Sequence, residues 1–221
     1  MKTYLKTILT VVILFVALTT GYFLITSSSN EKVLDKDEAK GKSSCCGDEI
    51  TAHSSVSETS IYQTSAVWRD QENDEFMLKE IEGKRVVMAL FFSNCSYACP
   101  IILNDMQKIE EKLSDREIGS SKFILVSIDP DRDTPQRLKE FALSKKINMD
   151  RWKLVTGTND DVLELAALLG FKYRKEDNGD FSHTNMIVIL DSKGDIIHTH
   201  LGLNKDMSLA TSVFKNLSYN Q

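Results

Sequence analysis

The sequence predicts an α/β domain in which a central mixed sheet is flanked by helices. Two apolar runs, residues 85–92 and 122–128, have the length and the Val, Ile, Leu and Phe content of strands covered on both faces. Each run is followed by a short loop and then by a segment whose apolar residues recur at helical spacing. Near the end of the chain this alternation changes to a hairpin and one last helix. With 221 residues, 42% of them hydrophobic, the chain is long enough for one sizeable domain and additional segments.

The first predicted strand leads into two cysteines, Cys95 and Cys99, and then into a helix from about Pro100 to Ser114. Pro100 fits the first turn of a helix, and it disfavours helical dihedral angles at Cys99. A thiol at a helix N-terminus lies near unpaired N–H groups and the positive end of the helix dipole, and both favour the thiolate. Because a thiolate attacks disulfides and binds soft metals, we expect the function to lie at Cys95 and Cys99. A buried, inert cysteine pair is the alternative.

Local signals place the remaining elements. Thr134 is expected to cap a helix that begins at Pro135, and Thr158 or Asn159 to cap a helix that stops at Gly170. The other predicted elements are a strand or hairpin over residues 65–76, a short segment over 77–83, strands over 152–156, 171–175, 185–190 and 196–201, and a helix over 205–217. The turn 191–195 is a strong signal for a hairpin. This order of elements is typical of a thioredoxin-like fold with additions.

Residues 1–30 are predicted to be a membrane anchor outside that domain. No charged side chain occurs between Lys6 and Glu31, and residues 7–26 are apolar enough and long enough to cross a bilayer as a helix. Lys2 and Lys6 precede this span, which predicts the N-terminus inside the cell and the domain on the extracytoplasmic, periplasmic side. A cleaved signal peptide is the alternative. The absence of a small-residue cleavage site after the span favours an uncleaved anchor.

Residues 31–60 are predicted to form a flexible tether, because they are rich in Ser, Lys and acidic residues and have little apolar periodicity. Cys45, Cys46 and His53 in this tether could collect a soft metal ion or form an exchangeable disulfide. We expect them to be incidental, because such close neighbours cannot readily satisfy one metal ion without other ligands. The folded domain is expected over residues 61–221. The net charge of −5 argues against a nucleic-acid partner.

The predicted domain contains three histidines. His183 is expected in a loop directly before the strand over residues 185–190. His198 and His200 are two residues apart and therefore share one face of their strand. They could form a site, but the half-exposed polar face of a hairpin is the simpler explanation for them.

Three motifs in this order, FFSNCSYACP, VSIDPDRDTP and FSHTNMIVILDSKG, resemble the Sco family (SenC/PrrC type) of membrane-anchored, thioredoxin-like proteins linked to assembly of the copper site of cytochrome c oxidase. The resemblance covers roughly residues 61–218. It implies that copper, as Cu⁺ or Cu²⁺, is bound by Cys95, Cys99 and His183. It also implies two partners: a copper-accepting membrane protein that is a terminal oxidase subunit, and a protein that reduces the thiols. Asp129 and Asp133 belong to the shared loop and could orient or neutralise the site; turn formation and helix capping are their alternative roles.

The chemistry of these donors agrees with the resemblance. Two thiolates and an imidazole suit copper, and three protein ligands leave an exchangeable position through which a metal can be passed on. General disulfide reductases of this fold have a CxxC motif and a cis-proline facing it. Here three residues separate the cysteines, and no proline lies directly before the strand over residues 185–190. We therefore expect a membrane-tethered copper chaperone whose cysteine pair cycles between dithiol and disulfide. The alternatives are a thiol-disulfide oxidoreductase or redox sensor, and a binding module with a purely structural disulfide.

Overall fold

A computed structural model describes residues 60–217 of the chain. The predicted anchor over residues 1–30 and the tether residues Cys45, Cys46 and His53 lie outside the described residues. Within residues 60–217, no helix is both long enough and apolar enough to cross a membrane.

The described residues form nine strands and five α-helices, with two short 3₁₀ helices at Ile61–Gln63 and Leu78–Ile81. The strands are β1 (Trp68–Asp70), β2 (Glu75–Phe76), β3 (Arg85–Phe91), β4 (Ser121–Ser127), β5 (Trp152–Thr156), β6 (Tyr173–Lys175), β7 (Phe181–His183), β8 (Met186–Leu190) and β9 (Ile196–Leu201). The helices are α1 (Ala98–Glu110), α2 (Asp115–Gly119), α3 (Pro135–Ser144), α4 (Asn159–Leu169) and α5 (Ser208–Asn216).

Seven strands form one mixed sheet in the order β2-β1-β5-β4-β3-β8-β9. Strand β4 runs parallel to both of its neighbours, β3 and β5, and β8 runs antiparallel to β3 and β9. Every residue of β3 and of β8 is buried, so both faces of the sheet are covered at its centre. The predicted α/β, thioredoxin-like architecture and the hairpin of β8 and β9 are confirmed.

Helices α3 and α4 begin and end where their local signals predict. The Thr134 hydroxyl accepts a hydrogen bond from the N–H of Arg137 at 3.3 Å, and Pro135 is the first residue of α3. Thr158 caps α4, and Gly170 ends it with a φ of 69°, a left-handed conformation that favours glycine. These ends are set by residues adjacent in sequence, which is why the sequence alone predicts them.

The predicted bounds of the helix after the cysteines were wrong. Helix α1 begins at Ala98 and ends at Glu110, so Cys99 has helical geometry although Pro100 follows it. The first N–H groups of a helix have no intrahelical acceptor, so Pro100 in this turn costs no hydrogen bond. Ser114 does not belong to α1: it caps the short helix α2, whose Glu117 side chain accepts from the Ser114 N–H at 2.8 Å.

Strands β6 and β7 form a separate two-stranded sheet. In the chain they lie between β5 and β8. Strand β6 corresponds to the short strand expected over residues 171–175, but its partner β7 was not predicted. His183 is the last residue of β7 and pairs with Tyr173, so the expectation of a loop at His183 was wrong. The predicted hairpin over residues 65–76 is present as the antiparallel pair β1 and β2.

Candidate metal centre

The cysteines and the DPDRDTP loop follow neighbouring parallel strands. Cys95 comes shortly after β3, and Asp129 comes shortly after β4. Because parallel strands end at the same edge of a sheet, these two loops lie together there, as is usual for functional sites of open α/β sheets. His183 reaches the same place from the end of β7.

Cys95, Cys99 and His183 are brought together. One ligand atom from each of the three side chains lies within 4.8 Å of the other two, and within residues 60–217 no other group of three or more His, Cys, Asp or Glu side chains is so close. Both cysteines are free thiols, Cys95 partly exposed and Cys99 buried. This set of three side chains is called the Cys/His cluster below.

The start of helix α1 stabilises a thiolate at Cys95. The pKa of Cys95 is lowered to about 5, chiefly by a hydrogen bond from the Cys99 thiol and further by the backbone N–H groups of Cys99, Tyr97 and Ala98. The N–H of Cys99 lies 3.3 Å from the Cys95 sulfur. The hydrogen bond to Cys95, together with burial, raises the pKa of Cys99. At neutral pH the pair therefore holds one proton, with the thiolate on Cys95.

The His183 ring has a fixed orientation. Its Nδ1 lies 3.0 Å from the carbonyl oxygen of Thr184. A carbonyl can only accept, so in this hydrogen bond Nδ1 carries the hydrogen, and in the neutral imidazole the lone pair for a metal ion is then on Nε2. The ring stacks on Phe171 at a centroid distance of 5.8 Å and meets Phe92 edge-on at 5.9 Å.

Asp133 holds the backbone loop that carries Cys95. This carboxylate is fully buried and accepts three hydrogen bonds: from the Ser93 N–H at 2.9 Å, from the Ser93 hydroxyl at 2.5 Å and from the Ser127 hydroxyl at 2.6 Å. Ser93 precedes Cys95 by two residues. Helix capping, the alternative role of Asp133, belongs instead to Thr134. The negative charge of Asp133 also contributes to the raised pKa of Cys99, after the Cys95 hydrogen bond and burial.

Asp129 is linked through Arg132 to the hairpin that carries His183. The buried Asp129 carboxylate accepts from the Arg132 guanidinium, which also donates to the carbonyl oxygen of Gly179 at 2.5 Å. Arg132 lies 6.0 Å above the ring centre of Phe181. Gly179 is in the turn before β7, so this chain of contacts ties the DPDRDTP loop to the hairpin that carries His183. Neither Asp129 nor Asp133 belongs to the group of clustered ligand atoms.

His198 and His200 do not belong to the Cys/His cluster. They lie on one face of β9, opposite Ile189 and Ile187, with ring centroids 6.4 Å apart. Burial and then the neighbouring His200 lower the pKa of His198. Within the described part of the chain, no third metal-ligating side chain completes a group with them. Both residues are partly exposed, but the Nε2 atoms of both rings are buried and have no hydrogen-bond partner within residues 60–217.

Sequence reasoning missed three residues that position the cluster: Ser93, Ser127 and Arg132. Ser93 lies 40 residues before the carboxylate that it contacts, and Arg132 lies 47 residues before Gly179. Nothing in the residues beside each of them indicates such partners. The only available signal was their place at the ends of buried strands or inside the DPDRDTP loop.

A family model and a curated relative both relate this chain to SCO1 proteins. The family model described as SCO1/SenC matches residues 58–218. The SCO1 protein homolog of Bacillus subtilis is 25% identical over 139 residues, which are 62% of this chain and 72% of that protein.

Two solved structures illustrate the likeness in fold. The copper-bound ScoI of Arabidopsis thaliana superposes with a TM-score of 0.59 at 20% identity, over 70% of this chain and 96% of that one. BsSco, a member of the Sco family of cytochrome c oxidase assembly proteins, superposes with a TM-score of 0.62 at 23% identity, over 70% and 92% of the two chains. At these identities the likeness establishes the fold, while the family match spans the whole described domain. The chain belongs to the SCO1/SenC family.

Proposed function

We propose that this chain is a membrane-anchored copper chaperone that binds copper through Cys95, Cys99 and His183 and delivers it to a respiratory oxidase during cytochrome c oxidase assembly. The observation that carries the proposal is the approach of these three donors to within 4.8 Å of one another. Membership of the SCO1/SenC family supports the same substrate and the same pathway.

The spacing of the donors suits one metal ion. Imidazole and thiolate ligands bind a comparable ion, zinc, at about 2.0–2.3 Å, so two ligands of one ion lie no more than about 4.6 Å apart. The cluster is therefore near the size that one ion requires. Two sulfurs and one imidazole are ligands that copper binds more readily than harder metal ions do.

The protonation state of the cluster prepares it for loading. The lowered pKa of Cys95 favours its thiolate, and the Thr184 hydrogen bond directs the Nε2 of His183 to a metal ion, whereas Cys99 has to lose its proton when copper binds. Cys95 is the more exposed of the two thiols, so a ligand of the acceptor reaches the copper first on the Cys95 side. With only three protein ligands, that incoming ligand has a coordination position to occupy.

The predicted anchor and the family membership support a location and two partners. The predicted anchor over residues 1–30 would hold the domain on the extracytoplasmic side, at the membrane in which an oxidase subunit resides. Copper binding requires both cysteines to be reduced, so a thiol reductant protein is a second partner. The acceptor itself is a copper-accepting membrane protein, for which a terminal oxidase subunit is the candidate.

One observation favours a second candidate function, a thiol-disulfide oxidoreductase or redox sensor. An activated Cys95 thiolate beside a buried Cys99 thiol is the pairing that disulfide exchange requires. In such a reaction Cys95 attacks a partner disulfide and releases one partner thiolate. Cys99 then attacks the Cys95 sulfur, which leaves a Cys95–Cys99 disulfide and a fully reduced partner.

The substitution His183→Ala separates the two functions. For a chaperone, we expect the copper affinity of the reduced protein to fall by a factor of ten or more, while its rate of disulfide reduction stays close to that of the unmodified protein. His200→Ala is the matched control, because His200 is a histidine of the same domain outside the cluster. Unchanged copper affinity in His183→Ala contradicts the proposed ligand set.

A further inference from the structure

Two clefts open beside the Cys/His cluster, and cations line both of them. The first, of about 330 Å³, adjoins Cys95 and includes Arg137 and Lys145. The second, of about 400 Å³, adjoins His183 and includes Lys172 and Arg174. Because Cys95 and His183 belong to one cluster, both clefts border the place at which copper would be exchanged.

These cations contrast with the charge of the whole chain, which is −5. The only carboxylate that lines either cleft is that of Glu140. Within residues 60–217, Arg137, Lys145 and Lys172 form no ion pair, whereas Arg174 pairs with Glu176 at 2.9 Å. Arg137 donates from Nε to the Ser93 hydroxyl at 3.2 Å, and Lys145 lies 5.9 Å from the ring centre of Phe141. None of the three positive charges next to the cluster is neutralised by a carboxylate within residues 60–217.

The same area exposes an aromatic ring. Tyr97 lies between the two cysteines in sequence, and its side chain is 71% exposed. Aromatic side chains are enriched among the residues that anchor protein–protein interfaces. Tyr97 therefore adds an exposed aromatic side chain to the surroundings of the cluster, whose two clefts are lined by cations.

We propose that this surface, formed by Tyr97, Arg137, Lys145 and Lys172 and called the cationic collar below, docks an acidic segment of the protein that accepts copper. That the partner is the copper acceptor rests on the proposed function. The docking itself is argued from charge complementarity. Positive charge around the cluster attracts an acidic partner, and the negative remainder of the chain repels it. The partner is therefore oriented with its acidic segment toward the Cys/His cluster.

An anionic membrane surface is the competing ligand for such a patch. Surfaces that bind anionic lipids typically carry clusters of about four to eight Lys and Arg side chains. The collar has three, and they are divided between two separate clefts. We therefore assign the surface to a protein partner.

The test uses the full-length chain in uncharged detergent micelles and two labelled peptides. Both peptides contain the same pair of cysteines, flanked by Asp and Glu in one and by Lys in the other. We expect the acidic peptide to bind about tenfold more tightly at low ionic strength, and this preference to fade at high salt. The double variant Lys145→Gln/Lys172→Gln removes one charge from each cleft and should weaken binding of the acidic peptide about tenfold.

The matched control is the double variant Lys79→Gln/Lys193→Gln, which changes the net charge by the same amount. Lys79 precedes β3 and Lys193 lies in the β8–β9 turn, both at the edge of the sheet where β3 begins. The cluster lies beyond the other end of β3, seven residues or about 20 Å away at roughly 3.3 Å per residue. We expect this control to change peptide binding less than about twofold.

Two outcomes would overturn the proposal. One is equal binding of the acidic and basic peptides, or equal effects of the two double variants. The other is collar-dependent binding to vesicles with anionic lipids but no binding of the acidic peptide, which would assign the surface to the membrane. Copper stoichiometry is measured separately on the same proteins. Lost copper binding with an intact peptide preference would count against the copper function and leave the docking surface standing.

Discussion

Replacing Asp133 by Asn should destabilise the domain by about 2–3 kcal/mol, because a buried carboxylate that accepts three hydrogen bonds becomes a neutral amide. A hydrogen bond to a charged group contributes about 1.5–3 kcal/mol. The asparagine oxygen can keep the bonds from the Ser93 N–H and the Ser127 hydroxyl, but its NH₂ group then faces the Ser93 hydroxyl, which has to turn and accept. One bond is reversed and the others lose their charge, while the lower cost of burying a neutral group offsets part of the loss.

The assay is urea unfolding of Asp133→Asn and of Asp131→Asn, the same substitution two residues away. Asp131 is 63% exposed and forms an ion pair with Lys175 at 3.2 Å, so its substitution should cost less than about 1 kcal/mol. Equal unfolding midpoints for the two variants would refute the assignment of Asp133 as the anchor of the Ser93 loop. We also expect Asp133→Asn to bind copper more weakly, since the Ser93 loop next to Cys95 is then held by one reversed hydrogen bond and by bonds to a neutral group.

Three further predictions concern thiol chemistry, pH and backbone conformation. Alkylation of Cys95 should reach half its maximal rate near pH 5, and Cys99→Ala should move this midpoint up by about 1–2 pH units, measured by stopped-flow alkylation. Burial lowers the pKa of His198, so unfolding free energy should fall as pH drops below the ordinary value of 6.5 and level off below the lowered value; urea titrations of His198→Gln should show a weaker dependence. Gly194→Ala should cost about 2–4 kcal/mol in unfolding free energy, because φ is +83° and a Cβ would lie 2.7 Å from atoms of two side chains, whereas Gly83→Ala, with φ of +87° and open space, should cost about 1 kcal/mol. Similar losses for the two glycine variants would show that the close contacts at Gly194 are relieved without cost.

The sequence predicted the central sheet and the ends of two helices well because these features depend on neighbouring residues. Buried strands are continuous apolar runs, and the caps at Thr134 and Thr158 lie within three residues of the N–H groups that they satisfy. The start of α1 was mispredicted because the effect of Pro100 on Cys99 is a preference that helix formation overcame.

The part of the candidate site that could not be predicted depends on contacts distant in sequence. Strand β7 has three residues and one partner strand. The alternation of apolar and polar residues around His183 is therefore too short to predict it. The separate roles of the two aspartates, Asp133 holding the cysteine loop and Asp129 reaching the histidine hairpin through Arg132, appear only when the loops meet at the edge of the sheet.

The three members of the Cys/His cluster are predicted by the resemblance of three motifs, in the same order, to a known family. Residue types alone left Cys95 and Cys99 open to redox or metal chemistry and left His183 in a loop. The structure adds that all three donors meet at one place.

The most direct test of the central claim is the copper content of the reduced full-length protein, measured beside Cys95→Ser, Cys99→Ser and His183→Ala. We predict close to one copper per chain bound by the cluster, lost in each of the three variants, with His200→Ala as an unaffected control. The tether cysteines Cys45 and Cys46 are replaced by Ser in every sample, so that only the domain contributes. Absence of copper from the folded, reduced protein would contradict the chaperone function and favour the oxidoreductase.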